Sequence, residues 1–222
     1  MLIFWVFLYG LSYLLAESVS SAAGNCLWLT PLVMLGYTVI LFIWLIYTNQ
    51  ARKLGLSPIR LHTQADVIYF IPLLVIPAMN LSSGSALLSA HSILLMFSIC
   101  CAEELMFRGF LLSFLCRHLG KSGILCAAFA FSFLHSVNLL SGAPISYVLM
   151  QMCLAFFIAI YYSLTRLYYK SLYPCIAAHF FTNITASSNS ISFEHCLLHI
   201  IILICCEIVL YSKISSKLED IS

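Results

Sequence analysis

The sequence predicts an all-α protein, a polytopic membrane helix bundle of about eight transmembrane helices, and three observations lead there. Hydrophobic residues fill 63% of the 222 positions and charged residues only 8%, against about a quarter charged in an ordinary soluble domain. Several separate apolar stretches approach or exceed the ~20 residues a helix needs to cross ~30 Å of hydrocarbon. The basic residues, finally, fall in every second connection between those stretches, on one side of the bundle. A formal charge of +2 with scattered basic residues gives no footprint for nucleic acid, so that partner class is set aside.

Taken in order, the hydrophobic segments are 2–18, 27–48, 67–82, 86–117, 122–140, 146–166, 172–187 and 194–213, within a single integral membrane domain over 1–222. The first lacks a Lys or Arg before it and fits a retained helix better than a cleaved secretory signal. The third and seventh are short and predict nearly upright or partly buried helices, whereas the long fourth must tilt or extend past the bilayer. Ten cysteines occur without any CxxC spacing; Cys100, Cys101, Cys126, Cys153, Cys175, Cys205 and Cys206 lie in apolar segments and read as small core residues.

Cytoplasmic loops of membrane proteins carry the Lys and Arg excess. Arg52, Lys53 and Arg60 follow segment two, Arg117 and Lys121 follow segment four, Arg166 and Lys170 follow segment six, and Lys213 and Lys217 follow segment eight. All fall on one side of an eight-helix serpentine, while the connections around 19–26, 83–85, 141–145 and 188–193 carry none. Both termini are therefore expected in the cytoplasm, in a multi-pass protein of the plasma membrane. Short loops and the lack of a eukaryotic targeting signal favour a bacterial one.

The remaining basic residue, Arg108, lies within Glu103-Glu104-Leu105-Met106-Phe107-Arg108-Gly109 in the fourth segment. Charges at a helix centre carry insertion penalties of roughly 2.5–3.5 kcal/mol each, so such groups usually face the bundle interior and serve function. Glu104 and Arg108, at i and i+4, share a helix face and can pair. Glu103, about 100° away around the helix, is left for another task. Two further polar sets recur in apolar helices: His135 with Asn138, and His179 with Asn183. Glu103, His135 and Asn183 each lie thirteen or fourteen residues from the nearest flanking basic residue, about 20 Å at helical rise. Packing those helices together would bring a carboxylate, two imidazoles and a carboxamide into one cavity.

These residues resemble the CAAX protease and bacteriocin-processing (CPBP or Abi) family of intramembrane peptidases, which includes the type II CAAX prenyl endopeptidases. The family pattern appears here as Glu103-Glu104-x-x-x-Arg108, Phe131-x-x-x-His135 and His179-x-x-x-Asn183. The resemblance covers residues 86–187, taken as the catalytic core. It implies an endopeptidase in which Glu103 and His135 activate a water, His179 and Asn183 donate to the oxyanion, and Glu104 paired with Arg108 orients the site.

The family has also been described as metalloproteases. Glu103, His135 and His179 would make a His₂Glu set, the ligand count of a catalytic zinc site. No His-Glu-x-x-His helix is present, and direct water activation by Glu103 is favoured over zinc. Expected partners are membrane lipid and a hydrophobic or lipidated peptide; whether that is a prenylated tail, a bacteriocin or a signalling peptide is not written in the motifs. The rival from another class is a non-catalytic scaffold, immunity or regulatory protein that keeps the motifs for folding. Against a proton-coupled carrier, no pair of broken helices in related halves is visible. Phe107 and Phe131 read as core, His91, His195 and His199 as packing residues, and Glu207 has no assignable partner.

Overall fold

The computed structural model describes residues 2–24, 26–82, 89–140, 142–185 and 193–218. The predicted connections at 83–85 and 188–192 lie outside these residues. The described chain is helical throughout: α1 (Leu2–Ala22), α2 (Leu29–Tyr47), α3 (Ile71–Ser82), α4 (Ala90–Glu104), α5 (Leu112–Leu119), α6 (Ser122–Leu134), α7 (Ile145–Tyr169), α8 (Tyr173–Thr185) and α9 (Phe193–Leu218). A π-helical stretch, Leu105–Leu111, joins α4 to α5 without a break, so the rod from Ala90 to Leu119 is the fourth predicted segment. Short 3₁₀ turns at Gln64–Phe70 and His135–Leu139 precede α3 and follow α6.

Local chemistry sets the ends. Ser89 caps α4 by accepting from the Ser92 N–H, and Pro174 occupies the first turn of α8, where its missing N–H is not needed. Lys170 closes α7 in the left-handed conformation. Among the described residues, four helical stretches are long and apolar enough to cross a bilayer: Leu29–Tyr47, Ser122–Leu139, Ile145–Tyr169 and Cys196–Ile214. The α4–α5 rod is long enough but carries Glu103, Glu104, Arg108 and Arg117. At 13 residues, α8 spans only about 20 Å.

The helices pack as α1 on α2, α2 on α4, α4 and α3 on α8, α5 on α6, α6 on α7, and α7 on α9. Outward faces stay apolar: Phe7 in α1, Ile46 in α2, Phe129 in α6 and Ile208 in α9 are each more than half exposed. Such a surface suits hydrocarbon, where burying it in water would have required a second layer. The cysteine expectation needs correcting on this point. Cys100, Cys101 and Cys175 are buried as expected, but Cys126, Cys153 and Cys205 lie exposed on outer faces; hydropathy alone does not tell the inner from the outer face of an all-apolar helix.

At one end of the bundle the α2–α3 connection is tied to the α7–α8 junction. The Leu172 N–H donates to the Gly55 carbonyl (2.8 Å) and the Arg60 N–H to that of Tyr169 (3.2 Å). Ser57 Oγ donates to the Lys170 carbonyl and Ser171 Oγ to that of Ser57. Buried Arg166 reaches back to the carbonyls of Leu54 and Lys53. Gly55 is required here: its φ is +96°, and a Cβ would overlap the Arg166 guanidinium.

Asp66 completes this collar. Its carboxylate accepts from the N–H groups of His62 and Thr63, from Thr63 Oγ1 and from the Tyr168 hydroxyl. Burial alone would raise this carboxyl, but the bonds from Thr63, His62 and Tyr168 outweigh it and hold the group down at about 2.

Candidate active site

Glu103 and Glu104 end α4, and Arg108 sits in the π-helical stretch that follows. A π turn holds an extra residue and widens the helix, and such turns recur at functional sites. Leu105 to Phe110 are all buried, so tertiary packing rather than local propensity sets this geometry. Leu54 of the collar and Leu172 would lie 3.5–3.6 Å from a Cβ at Gly109, so the collar packs against the π stretch six residues after Glu103.

The i, i+4 pair forms as the spacing predicts. Arg108 Nη1 donates to Glu104 Oε1 at 2.9 Å, with both side chains all but fully buried. The guanidinium lies over the Phe131 ring, 4.0 Å from its centroid, and faces Tyr162 at 5.4 Å, a placement in which ring quadrupoles help solvate the cation. Glu104 Oε2 and Arg108 Nη2 are buried with no hydrogen-bond partner among the described residues.

His179 comes in from α8. Its Nδ1 stands 2.9 Å from Glu104 Oε1, the oxygen that also receives Arg108, and its Nε2 lies 3.8 Å from Glu103 Oε2. An imidazole bonded at Nδ1 has its ring plane fixed and only the Nε2 edge left to work with. That edge faces Glu103. Asn183, one turn on, donates from Nδ2 to Cys100 Sγ at 3.4 Å, which holds it beside the turn of α4 preceding Glu103. Two chain-distant motifs, Glu103-Glu104-x-x-x-Arg108 and His179-x-x-x-Asn183, thus meet.

His135 is placed differently from the expectation. The helix α6 stops at Leu134, and His135 opens the 3₁₀ turn. Its ring lies against Phe131 at 5.3 Å, while His179 lies against the same ring at 5.9 Å. Phe131 is core, as read, and its ring packs against both imidazoles. Asn138 turns away to donate to Gln151 of α7 at 2.8 Å.

Sequence reasoning missed Tyr9. From α1 its hydroxyl donates to Glu103 Oε1 at 2.9 Å, and a tyrosine in an apolar first helix gives no sign of that partner. An apolar groove of about 430 Å³ runs along the outer side of the site, lined by Val6 and Phe7 of α1, Met106, Phe107 and Leu111 of the π stretch, and Ala130 and Leu134 of α6.

Among the described residues no three His, Cys, Asp or Glu side chains stand close enough together to hold a metal ion. The contact of His179 Nδ1 with Glu104 leaves Nε2 open, as it also would in a metal-ligating histidine.

Residues 84–185 match the family model described as type II CAAX prenyl endopeptidase Rce1-like. No curated protein and no solved structure matches the chain.

Proposed function

We propose, from the match of residues 84–185 to the type II CAAX prenyl endopeptidase Rce1-like family model, that the chain is an endopeptidase that cuts a peptide bond inside the membrane with a water activated by Glu103 and His135. The family implies a membrane protease in general; the residue roles are our reading. The observation that carries it is the approach of His179 to two carboxylates at once, 2.9 Å from Glu104 and 3.8 Å from Glu103.

In this reading the water oxygen attacks the scissile carbonyl carbon as its proton passes to Glu103. The developing oxyanion accepts hydrogen bonds from His179 Nε2–H and Asn183 Nδ2–H, donors preorganised where negative charge appears. For that donation His179 acts in its doubly protonated form, with Nδ1–H held by Glu104. Glu104 is anchored by Arg108 and positions the imidazole. When the C–N bond breaks, the proton on Glu103 is delivered to the leaving amine; His135 is assigned the second contact to the attacking water, accepting a hydrogen bond from it.

The substrate is proposed to be a hydrophobic or lipidated peptide. The groove beside Phe107 and Leu134 supports this, since its lining is apolar and it lies where lipid would touch the bundle. The chain is proposed to pass the plasma membrane several times with both termini in the cytoplasm, on the placement of the basic residues.

The test is cleavage of a hydrophobic peptide library by the purified protein in detergent, comparing wild type, Glu103→Gln and His135→Ala with and without a zinc chelator. Both variants are expected to lose at least about 100-fold in rate while folding normally, and the chelator is expected to change nothing. A Glu103→Gln protein that cuts at the wild-type rate would falsify the reading and favour a non-catalytic role.

A further inference from the structure

Tyr9 lies outside residues 84–185 and outside every motif, yet it makes the closest polar contact to Glu103 in the described structure. Its position is not that of a loosely held surface tyrosine. Its ring packs edge-on against Tyr37 of α2, with centroids 5.7 Å apart. Tyr37 in turn donates to the Trp5 carbonyl at 2.9 Å and touches Met106 Sδ at 3.5 Å. Trp5 packs on both Tyr37 and Trp44. The phenol is thus carried by an aromatic cluster from two helices that reaches the π stretch itself.

The two Glu103 oxygens consequently have different surroundings. Oε1 accepts the Tyr9 hydroxyl, while Oε2 faces His179 Nε2. A glutamate side chain has three rotatable bonds, and a carboxylate bonded through only one oxygen to a fixed donor keeps the other aimed in one direction. That is the geometric requirement for a general base, which must stand within hydrogen-bond reach of the proton it takes.

We propose that Tyr9 is a positioning residue for the reaction: its hydroxyl holds Glu103 Oε1 so that Oε2 is the atom presented to water beside His179. The inference rests on the peptidase reading above, since a base needs aiming only if it acts. It also gives α1 a role, because the helix that carries Tyr9 forms one wall of the apolar groove through Val6 and Phe7. The proton taken from water resides on Oε2 and leaves with the amine, and Tyr9 keeps its own proton throughout.

The experiment uses the full chain in detergent and compares wild type, Tyr9→Phe and Tyr37→Phe. Tyr37→Phe keeps the ring and controls for loss of a phenol hydroxyl and of an α1–α2 bond without touching Glu103. Two readouts are taken: kcat and KM on a cleaved peptide, and the rate at which dicyclohexylcarbodiimide modifies Glu103, followed by mass spectrometry of the peptide that contains it.

Tyr9→Phe is expected to lower kcat about tenfold, the size of one hydrogen bond to a charged group. KM should stay within about twofold, and Glu103 should be modified several-fold faster than in wild type. Tyr37→Phe should lower thermal stability while leaving the Glu103 modification rate unchanged. Modification of Glu103 in Tyr9→Phe at the wild-type rate overturns the proposal whatever the activity, and so does a Tyr9→Phe protein with unchanged kcat. A wild type that cuts no peptide, combined with faster modification in Tyr9→Phe, counts against the peptidase reading and leaves the aiming of Glu103 by Tyr9 standing.

Discussion

The molecule treats buried polarity in two ways. In the collar, where residues 52–66 meet 166–172, Asp66 and Arg166 bond backbone groups and hydroxyls: Asp66 accepts four bonds and Arg166 donates to two carbonyls. In the candidate site, Glu104 and Arg108 are as deeply buried, but each leaves one polar atom without a hydrogen-bond partner among the described residues. A satisfied network holds a fold together, whereas polar atoms left open in a low-dielectric interior carry a penalty of about 1–3 kcal/mol each. Retaining that penalty is reasonable where the groups must interact with something the resting protein does not contain. The contrast teaches where to look for function: the collar orders the bundle, and the site keeps capacity in reserve.

The strongest way to break this contrast is to remove one half of the site's ion pair. Arg108→Met leaves Glu104 buried without its cation and should destabilise the protein by about 3–5 kcal/mol. Adding Glu104→Gln to it should restore much of that stability, because no isolated charge then remains. Thermal unfolding in detergent measures both, and neither protein should regain peptidase activity. If the double variant is no more stable than the single, the pair is not the electrostatic unit its geometry suggests.

The collar should fail differently. Gly55→Ala forces a side chain into a left-handed turn, worth about 1 kcal/mol, and also displaces the Arg166 guanidinium. The total should be about 2 kcal/mol, a fall of several degrees in Tm, while cleavage per folded molecule is retained. Loss of activity in protein that is still folded would show that the collar acts on the site through the contact of Leu54 with Gly109.

The smallest effect is set by acid. The folded Asp66 carboxyl is held down to about 2, below its value of about 3.9 in an unfolded chain, so the unfolded state binds the proton first. The stabilisation is complete above about pH 4 and is lost as pH falls towards 2. Asp66→Asn should lower Tm near neutral pH and flatten its decline between about pH 4 and pH 2, read by thermal scans across that range.

Much of this was legible in the sequence, and the reasons are physical. Hydropathy locates each helix, because an apolar stretch of the right length has few alternatives in a bilayer. The Glu104–Arg108 pair follows from helical spacing, and His179 meeting the carboxylates follows from the cost of leaving charges apart in a membrane. The π stretch was not legible, since Leu105 to Phe110 are buried and tertiary packing, which hydropathy does not report, surrounds it. Neither was Tyr9, whose partner stands 94 positions away. His135 was assigned to a helix that stops one residue earlier, a difference no periodicity resolves. Thr63 and Asp66 form a capping box, a signature present in the sequence that the hydrophobic pattern overshadowed.

The collar also has a temporal meaning. Its side-chain contacts join positions 102 to 114 residues apart, so at about 5–20 residues per second a ribosome needs roughly 5–20 s to make the second half after the first. During that interval α1 and α2 are already in place, the Gly55 carbonyl has no donor, and Glu103 and Glu104 enter the membrane before His179 exists. The nascent chain is therefore most vulnerable to quality-control proteases after α4 emerges and before α8 does, and slowing translation between them would lengthen that exposure.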